Sequence, residues 1–221
     1  MHIPDGILPA QLCIGGYGVT GFTTWFCLQQ INRSPDPAQG IPKAALLTAA
    51  FFTASLIHIP IPPASVHFVL NGLLGVVLGY YAFPAILVGL FLQAIMFGHG
   101  GLSTLGINAM IMGLPALVAA LIFQFGDRVS SRFHANITIT LFGFLAGAAA
   151  VALSTLMFYT LVVLHLPADL DANTEQAALL TLAVAHIPLI LLEGMFTAIV
   201  VAFLAKVKPE LLQNSGSKIG L

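Results

Sequence analysis

Seven apolar stretches, each long enough to supply the roughly 17–25 residues a helix needs to cross hydrocarbon, occupy almost the whole chain. A stretch of that length must satisfy every backbone N–H and C=O internally, so it is either a spanning helix or part of a closed barrel. The lengths here favour helices. Of 221 residues, 58% are hydrophobic and 7% are charged, against about 25% charged in soluble domains, and the mean hydropathy is +1.00. The expected fold is therefore an all-α polytopic membrane protein forming one domain over residues 1–221. Its helices are predicted near 7–31, 41–58, 64–80, 82–98, 104–125, 135–165 and 175–206.

The breaks carry turn chemistry. NRSPDPAQGIPK divides the first two helices, HIPIPPAS the second from the third, FGHGGLST the fourth from the fifth, GDRVSSR the fifth from the sixth and HLPADLDANTEQ the sixth from the seventh. The third and fourth meet at YYAFP, a tight turn. With seven spans, Arg33, Lys43, Arg128, Arg132, Lys206, Lys208 and Lys218 all fall on one side, which the positive-inside rule makes cytoplasmic. Met1 then faces outward.

A net charge of −1 argues against a nucleic-acid partner. Cys13 and Cys27, about 21 Å apart on one helix, are too distant to bridge and read as small apolar fillers. There is no G-x-x-x-x-G-K-[ST], H-E-x-x-H or G-x-S-x-G, so the chain is not expected to be an enzyme. A membrane enzyme ranks behind the other readings.

Most histidines fall toward the outer half, and one of them is second in the chain. The Met1 amine, the His2 amide and His2 Nδ1 can close a five-membered and a six-membered chelate ring on one ion. Amide deprotonation favours a square-planar ion such as Ni(II), Cu(II) or low-spin Co(II). One corner is left for a second imidazole. His67 is placed about one turn into the third helix, after Pro62 and Pro63 and with Ser65 as a cap. His58 and His99, the latter in FGHGG, are its rivals. Buried polar residues are expected at Asn71, Gln93, Asn108, His186 and Glu193, where an ionisable group inside a membrane suggests function and a hydrogen-bond network between helices is the plainer role. Gly75 with Gly79, Gly143 with Gly147, and Ala45 with Ala49 mark close packing.

MHIPDGILP, the S-x-H of SVHF, FLQAIMFGHGGLSTLGIN and HIPLILLEGMFTAIVVAFLAKVKPELL together resemble the CbiM/NikM family, and most resemble CbiM. The likeness runs over nearly the whole chain. It implies the substrate-binding (S) component of an energy-coupling factor ABC importer for Co(II) or Ni(II), with the cobalt role, for cobalamin synthesis, preferred. It implies seven transmembrane helices, a six-helix core plus an added N-terminal helix that delivers Met1 and His2 to an outer pocket. The implied metal ligands are Met1, His2 and His67, which raises His67 above His58 and His99. The family's FGHGG position is often FGDGG, so His99 is implied to stand outside the ligand set, as are Gln93, Asp5 and Ser65 beside it. No cofactor is implied. The implied partners are a transmembrane coupling subunit (CbiQ-like), which Ala45 and Ala49 would meet, ATP-binding cassette subunits (CbiO-like) and a small auxiliary membrane protein (CbiN-like). A non-transporting membrane metal sensor or scaffold is the alternative of a different class.

Overall fold

A computed structural model of the chain describes residues 2–61, 64–130, 135–165 and 172–212. Among these, seven α-helices follow in the expected order: α1 (Ala10–Asn32), α2 (Ile41–Ala54), α3 (Asn71–Leu78), α4 (Ala82–Phe97), α5 (Leu105–Ser130), α6 (Ala135–Leu164) and α7 (Ala172–Val207). By length and composition, four stretches suffice to cross a membrane: α3 and α4 taken together (Asn71–Phe97), Leu105–Gly126, Ile137–Leu164 and Val184–Val207. The protein is thus a helical membrane protein. The first helix carries several threonines and glutamines, and α2 has only 14 residues; neither is among the four segments.

The main departure from the sequence expectation lies between α2 and α3. The second helix was expected to reach 58 and the third to begin at 64. Instead α2 stops at Ala54, and His58–Ile61 (β1) pairs antiparallel with Ala64–His67 (β2), with His58 opposite His67 and Pro60 opposite Ser65. The reason is local. Pro60 lacks the N–H a helix needs, and the β-branched Ile59, Ile61 and Val66 favour an extended chain. Ser65 is therefore a strand residue and caps no helix, and His67 ends a strand rather than lying inside α3.

The turn expected at YYAFP is present. Gly79, at φ 57° and ψ −123°, ends α3, and Gly79–Tyr81 forms a 3₁₀ turn into α4. Such backbone angles suit glycine alone. Asn71 donates to the Met112 carbonyl and Gly75 lies against Ala116, so α3 runs alongside α5 in the same direction. Phe83 packs on Gly113 while Gln93, near the other end of α4, bonds His2. The chain therefore descends through α3 and returns through α4. This pair forms the centre: 78% of the most apolar 18 residues of Asn71–Phe97 are buried, against 33% of those of Ile137–Leu164 and of Val184–Val207.

Small residues make the helix crossings, as expected where lipid removes any hydrophobic drive between helices. Gly16 and Gly106 let α1 lie on α5, and Thr20 bonds the Gly106 carbonyl at 2.7 Å. Gly72 on α3 meets Gly147 on α6, and Gly147 in turn meets Thr197 and the Glu193 carbonyl on α7. Gly143 touches Ala198 and Val201. Of the glycines singled out from sequence, Gly75, Gly143 and Gly147 pack helices, while Gly79 makes the turn.

A Cβ at Gly75 would overlap the Ala116 carbonyl, whereas one at Gly15 would meet nothing within 4 Å. Gly75→Val is therefore expected to destabilise the protein by about 1–3 kcal/mol through overpacking. Gly15→Ala should stay within about 0.5 kcal/mol of wild type. Thermal unfolding in detergent measures both, and equal melting temperatures would count against the α3–α5 contact.

Candidate metal centre

The site is assembled from the chain's first residues, the end of the 58–67 hairpin, and the loop between α4 and α5. Ile3 is the anchor. Its side chain is 1% exposed, and its backbone is read like a strand by one side chain: the Ile3 N–H donates to Asn108 Oδ1 at 2.9 Å, and Asn108 Nδ2 donates back to the Ile3 carbonyl at 3.0 Å. Thr104 adds a hydroxyl to the same carbonyl at 2.6 Å. Two residues on, Asp5 accepts the N–H groups of Leu102 (3.2 Å) and Ser103 (2.9 Å) and the Ser103 hydroxyl. The Ser103 hydroxyl in particular holds the Asp5 carboxyl below its ordinary pKa. Asp5 thus clamps the loop.

The loop itself follows from glycine. Gly98, at φ 63°, ends α4 in the left-handed conformation usual past a helix C-terminus, and the His99 N–H returns to the Gln93 carbonyl at 3.2 Å. Gly100, at φ 79°, passes close to Asn108 and His2; Gly101 leaves no space for a Cβ beside Asp5.

These contacts bring three imidazoles together. The His2 and His67 rings stack with centroids 5.2 Å apart and planes 29° apart, and His99 stands 6.1 Å from His2. Buried Gln93 meets His2 Nε2 through Oε1 at 2.9 Å. An amide oxygen only accepts, so His2 Nε2 carries the proton and Nδ1 the lone pair. His67 Nδ1 lies 2.9 Å from the Phe68 carbonyl, so by the same rule Nδ1 is protonated and Nε2 is the basic nitrogen. Both tautomers are thus assigned from the hydrogen-bond network. Burial above all holds His2 well below its usual pKa, and the chain terminus and His67 add to the effect. This favours the neutral ring, the form of imidazole that can bind a metal.

Below His67 the chain turns into α3. The Val69 and Leu70 N–H groups donate to the Glu193 carboxyl on α7, Leu70 at 3.1 Å to each oxygen. Leu70 itself is left-handed, at φ 53°, the only non-glycine with positive φ among the described residues, a conformation costing a leucine roughly 1 kcal/mol. Asn71 donates to the Met112 carbonyl (3.1 Å) and to Ser154 (2.9 Å).

Of the residues singled out from sequence, His2, His67, His99, Gln93 and Asp5 are brought into one region. Met1 lies outside the described residues, as do the side chains of Ser65 and His58. His165 bonds its own helix through Leu161 at 2.9 Å. Ala45 and Ala49 stand away from the site on the exposed face of α2. Among the described residues, no three His, Cys, Asp or Glu side chains are spaced to hold an ion. The pairing of Asn108 with Ile3 and of Glu193 with Val69 and Leu70 escaped the sequence reading of roles. An Asn or Glu inside an apolar helix was the only signal, and it does not name a partner.

Residues 2–211 match the family model described as "CbiM: Cobalt uptake substrate-specific transmembrane region". The chain belongs to the CbiM family. It is similar to a Haemophilus influenzae protein whose name refers to metal transport, 32% identical over 97% of this chain and 98% of its own length. The fused nickel transport protein NikMN of Rhodobacter capsulatus is 31% identical over 96% of this chain and 64% of its own. A crystal structure described as a transition metal transporter superposes with a TM-score of 0.71, at 26% identity, covering 97% of this chain and 96% of that one. This CbiM-family chain is accordingly a membrane component of cobalt or nickel transport.

Asn108→Ala would leave the Ile3 N–H without its acceptor in a buried place, at about 1–3 kcal/mol. A lower melting temperature and faster amide exchange at Ile3 are expected. Exchange as slow as in wild type would mean that Asn108 does not hold the N-terminal segment.

Proposed function

We propose that the chain is the substrate-capturing subunit of an energy-coupling factor importer that takes Co(II) at the outer face of a bacterial plasma membrane, for cobalamin synthesis. In this reading the ion is the cargo. Its donors are the Met1 amine, the His2 amide nitrogen, His2 Nδ1 and His67 Nε2. The observation that carries it is the His2–His67 pair, with each tautomer set by Gln93 or Phe68 so that the nitrogens required by the chelate are the basic ones. At a metal–nitrogen bond of about 2 Å, ring centres on adjacent corners of one ion stand about 4–5 Å apart, close to the observed 5.2 Å. Two imidazoles alone leave a divalent ion short of donors, and main-chain nitrogen supplies the rest. Gln93 holds His2 from behind, and His99 and Asp5 shape the loop around it.

Seven helices with the N-terminus outside and the C-terminus in the cytoplasm fit this role. Contacts at the end away from the site support the topology: Tyr81 donates to the Pro37 carbonyl at 2.6 Å, and Lys43 to the Leu211 carbonyl at 3.0 Å. ATP hydrolysis and coupling then fall to partners: a coupling subunit, cassette subunits and a small auxiliary membrane protein. A groove of about 780 Å³ between α1, α2 and α4, lined by Ala45, Ala49, Leu28, Val88 and Leu92, is the surface offered to the coupling subunit. Ni(II) is the second reading, favoured by the likeness to a nickel transport protein. Competition between the two ions in uptake with the partner subunits separates them. A sensor or scaffold would bind either ion and show no uptake.

His2→Ala and His67→Ala should each weaken Co(II) or Ni(II) binding by more than the roughly 10- to 100-fold that follows loss of an outer hydrogen-bond partner. His58→Ala should bind like wild type. Calorimetry in detergent reads all three, and loss with His58→Ala but not His67→Ala would reject the fourth ligand. Acetylating Met1, verified by mass spectrometry, should abolish tight binding, because an amide is a poor donor; unchanged affinity would remove the amine from the set. Leu at Ala45 or Ala49 should impair assembly with the coupling subunit while leaving metal affinity unchanged. Normal assembly and uptake in both variants would clear this face of the role.

A further inference from the structure

His67 sits at the end of a hairpin, and a hairpin of two four-residue strands is by itself a poor support for a ligand. The segment that follows is held from α7. Glu193, 1% exposed, takes the N–H groups of Val69 and Leu70, two and three residues past His67. Three residues along α7, Phe196 meets Phe68, with ring centroids 6.2 Å apart. The place from which Glu193 acts is fixed in turn. Gly147 on α6 has no room for a Cβ between Thr197 and the Glu193 carbonyl, and it also abuts Gly72 at the start of α3. Leu70 keeps its left-handed φ of 53° in the same turn, where its N–H and that of Val69 reach one carboxyl group.

We infer that Glu193 is the positioning residue of the His67 imidazole: by accepting the two amides after Phe68, it sets where His67 Nε2 stands relative to His2. Glu193 lies outside the proposed donor set. It acts through the backbone, and the same bonds tie the ligand to α7, so a movement of α7 moves His67. This rests on the reading of His67 as a ligand.

The test uses the full chain in detergent, titrated with Ni(II), with the visible absorption band of the bound ion and the affinity both recorded. His67→Ala is the reference for a lost nitrogen corner, and its band should shift from that of wild type. Glu193→Leu removes both acceptor oxygens and keeps apolar volume. Its bound ion should absorb like that in His67→Ala, with affinity about 10- to 100-fold weaker. Glu193→Gln, which keeps one acceptor oxygen, should fall between, and it decides the matter if Glu193→Leu does not accumulate. A role in stability alone would lower the melting temperature yet leave the band of the bound ion at its wild-type position. That result in Glu193→Leu or Glu193→Gln, with a shifted band in His67→Ala, overturns the inference and leaves the ligand set standing. An unshifted band in His67→Ala overturns the ligand set itself, and the inference with it.

Discussion

A backbone amide inside hydrocarbon has no water to turn to, and each unsatisfied group costs several kcal/mol. The rest of this structure depends on that constraint, because two of its segments are not helical where the site is built. The first residues carry His2, and the hairpin and turn up to Leu70 carry His67. Both are tolerated because side chains from neighbouring helices stand in for the missing backbone partners. Asn108 pairs with both polar groups of Ile3, and Glu193 with the N–H groups of Val69 and Leu70. The buried polar residues of the helices are therefore what permits an irregular backbone in the protein interior.

The same logic explains why the centre of the bundle is a short helix. With eight residues, α3 is about 12 Å long, too short to cross a membrane. Its N-terminus thus falls inside the protein, where its unpaired N–H groups must be met. Asn71 ties that end to α5 and α6, and Glu193 ties it to α7. Glycine makes this convergence possible. At Gly72, Gly75 and Gly147 the helices approach until no side chain fits between them. The turn after His67 leads directly into these crossings at Gly72.

Neutral imidazoles complete the picture. A metal ligand must be unprotonated and must present a defined nitrogen. Burial favours the neutral ring of His2, and Gln93 faces one nitrogen so that the other is the basic one. Phe68 does the same for His67 with the opposite nitrogen. The two rings present opposite nitrogens, one set by Gln93 from α4 and the other by the carbonyl of the next residue, Phe68.

Composition and punctuation alone determined that this is a helical membrane protein, the order of its helices, the turn at 79–81, and His2, His67, Gln93 and His99 as residues to watch. Apolar runs cannot leave lipid, and proline and glycine act on their own backbone, so these signals are local. The tertiary structure alone decided that residues 58–67 form a hairpin rather than helix ends, that Asn108 reads the backbone of Ile3, and that Glu193 holds the turn after His67. Each depends on groups about 100 residues apart in the chain or, in the hairpin, on short β-branched and proline-rich runs whose pairing the helical pattern on either side conceals. Sequence marks such residues as polar among apolar neighbours. Which backbone they satisfy is settled only when the helices pack.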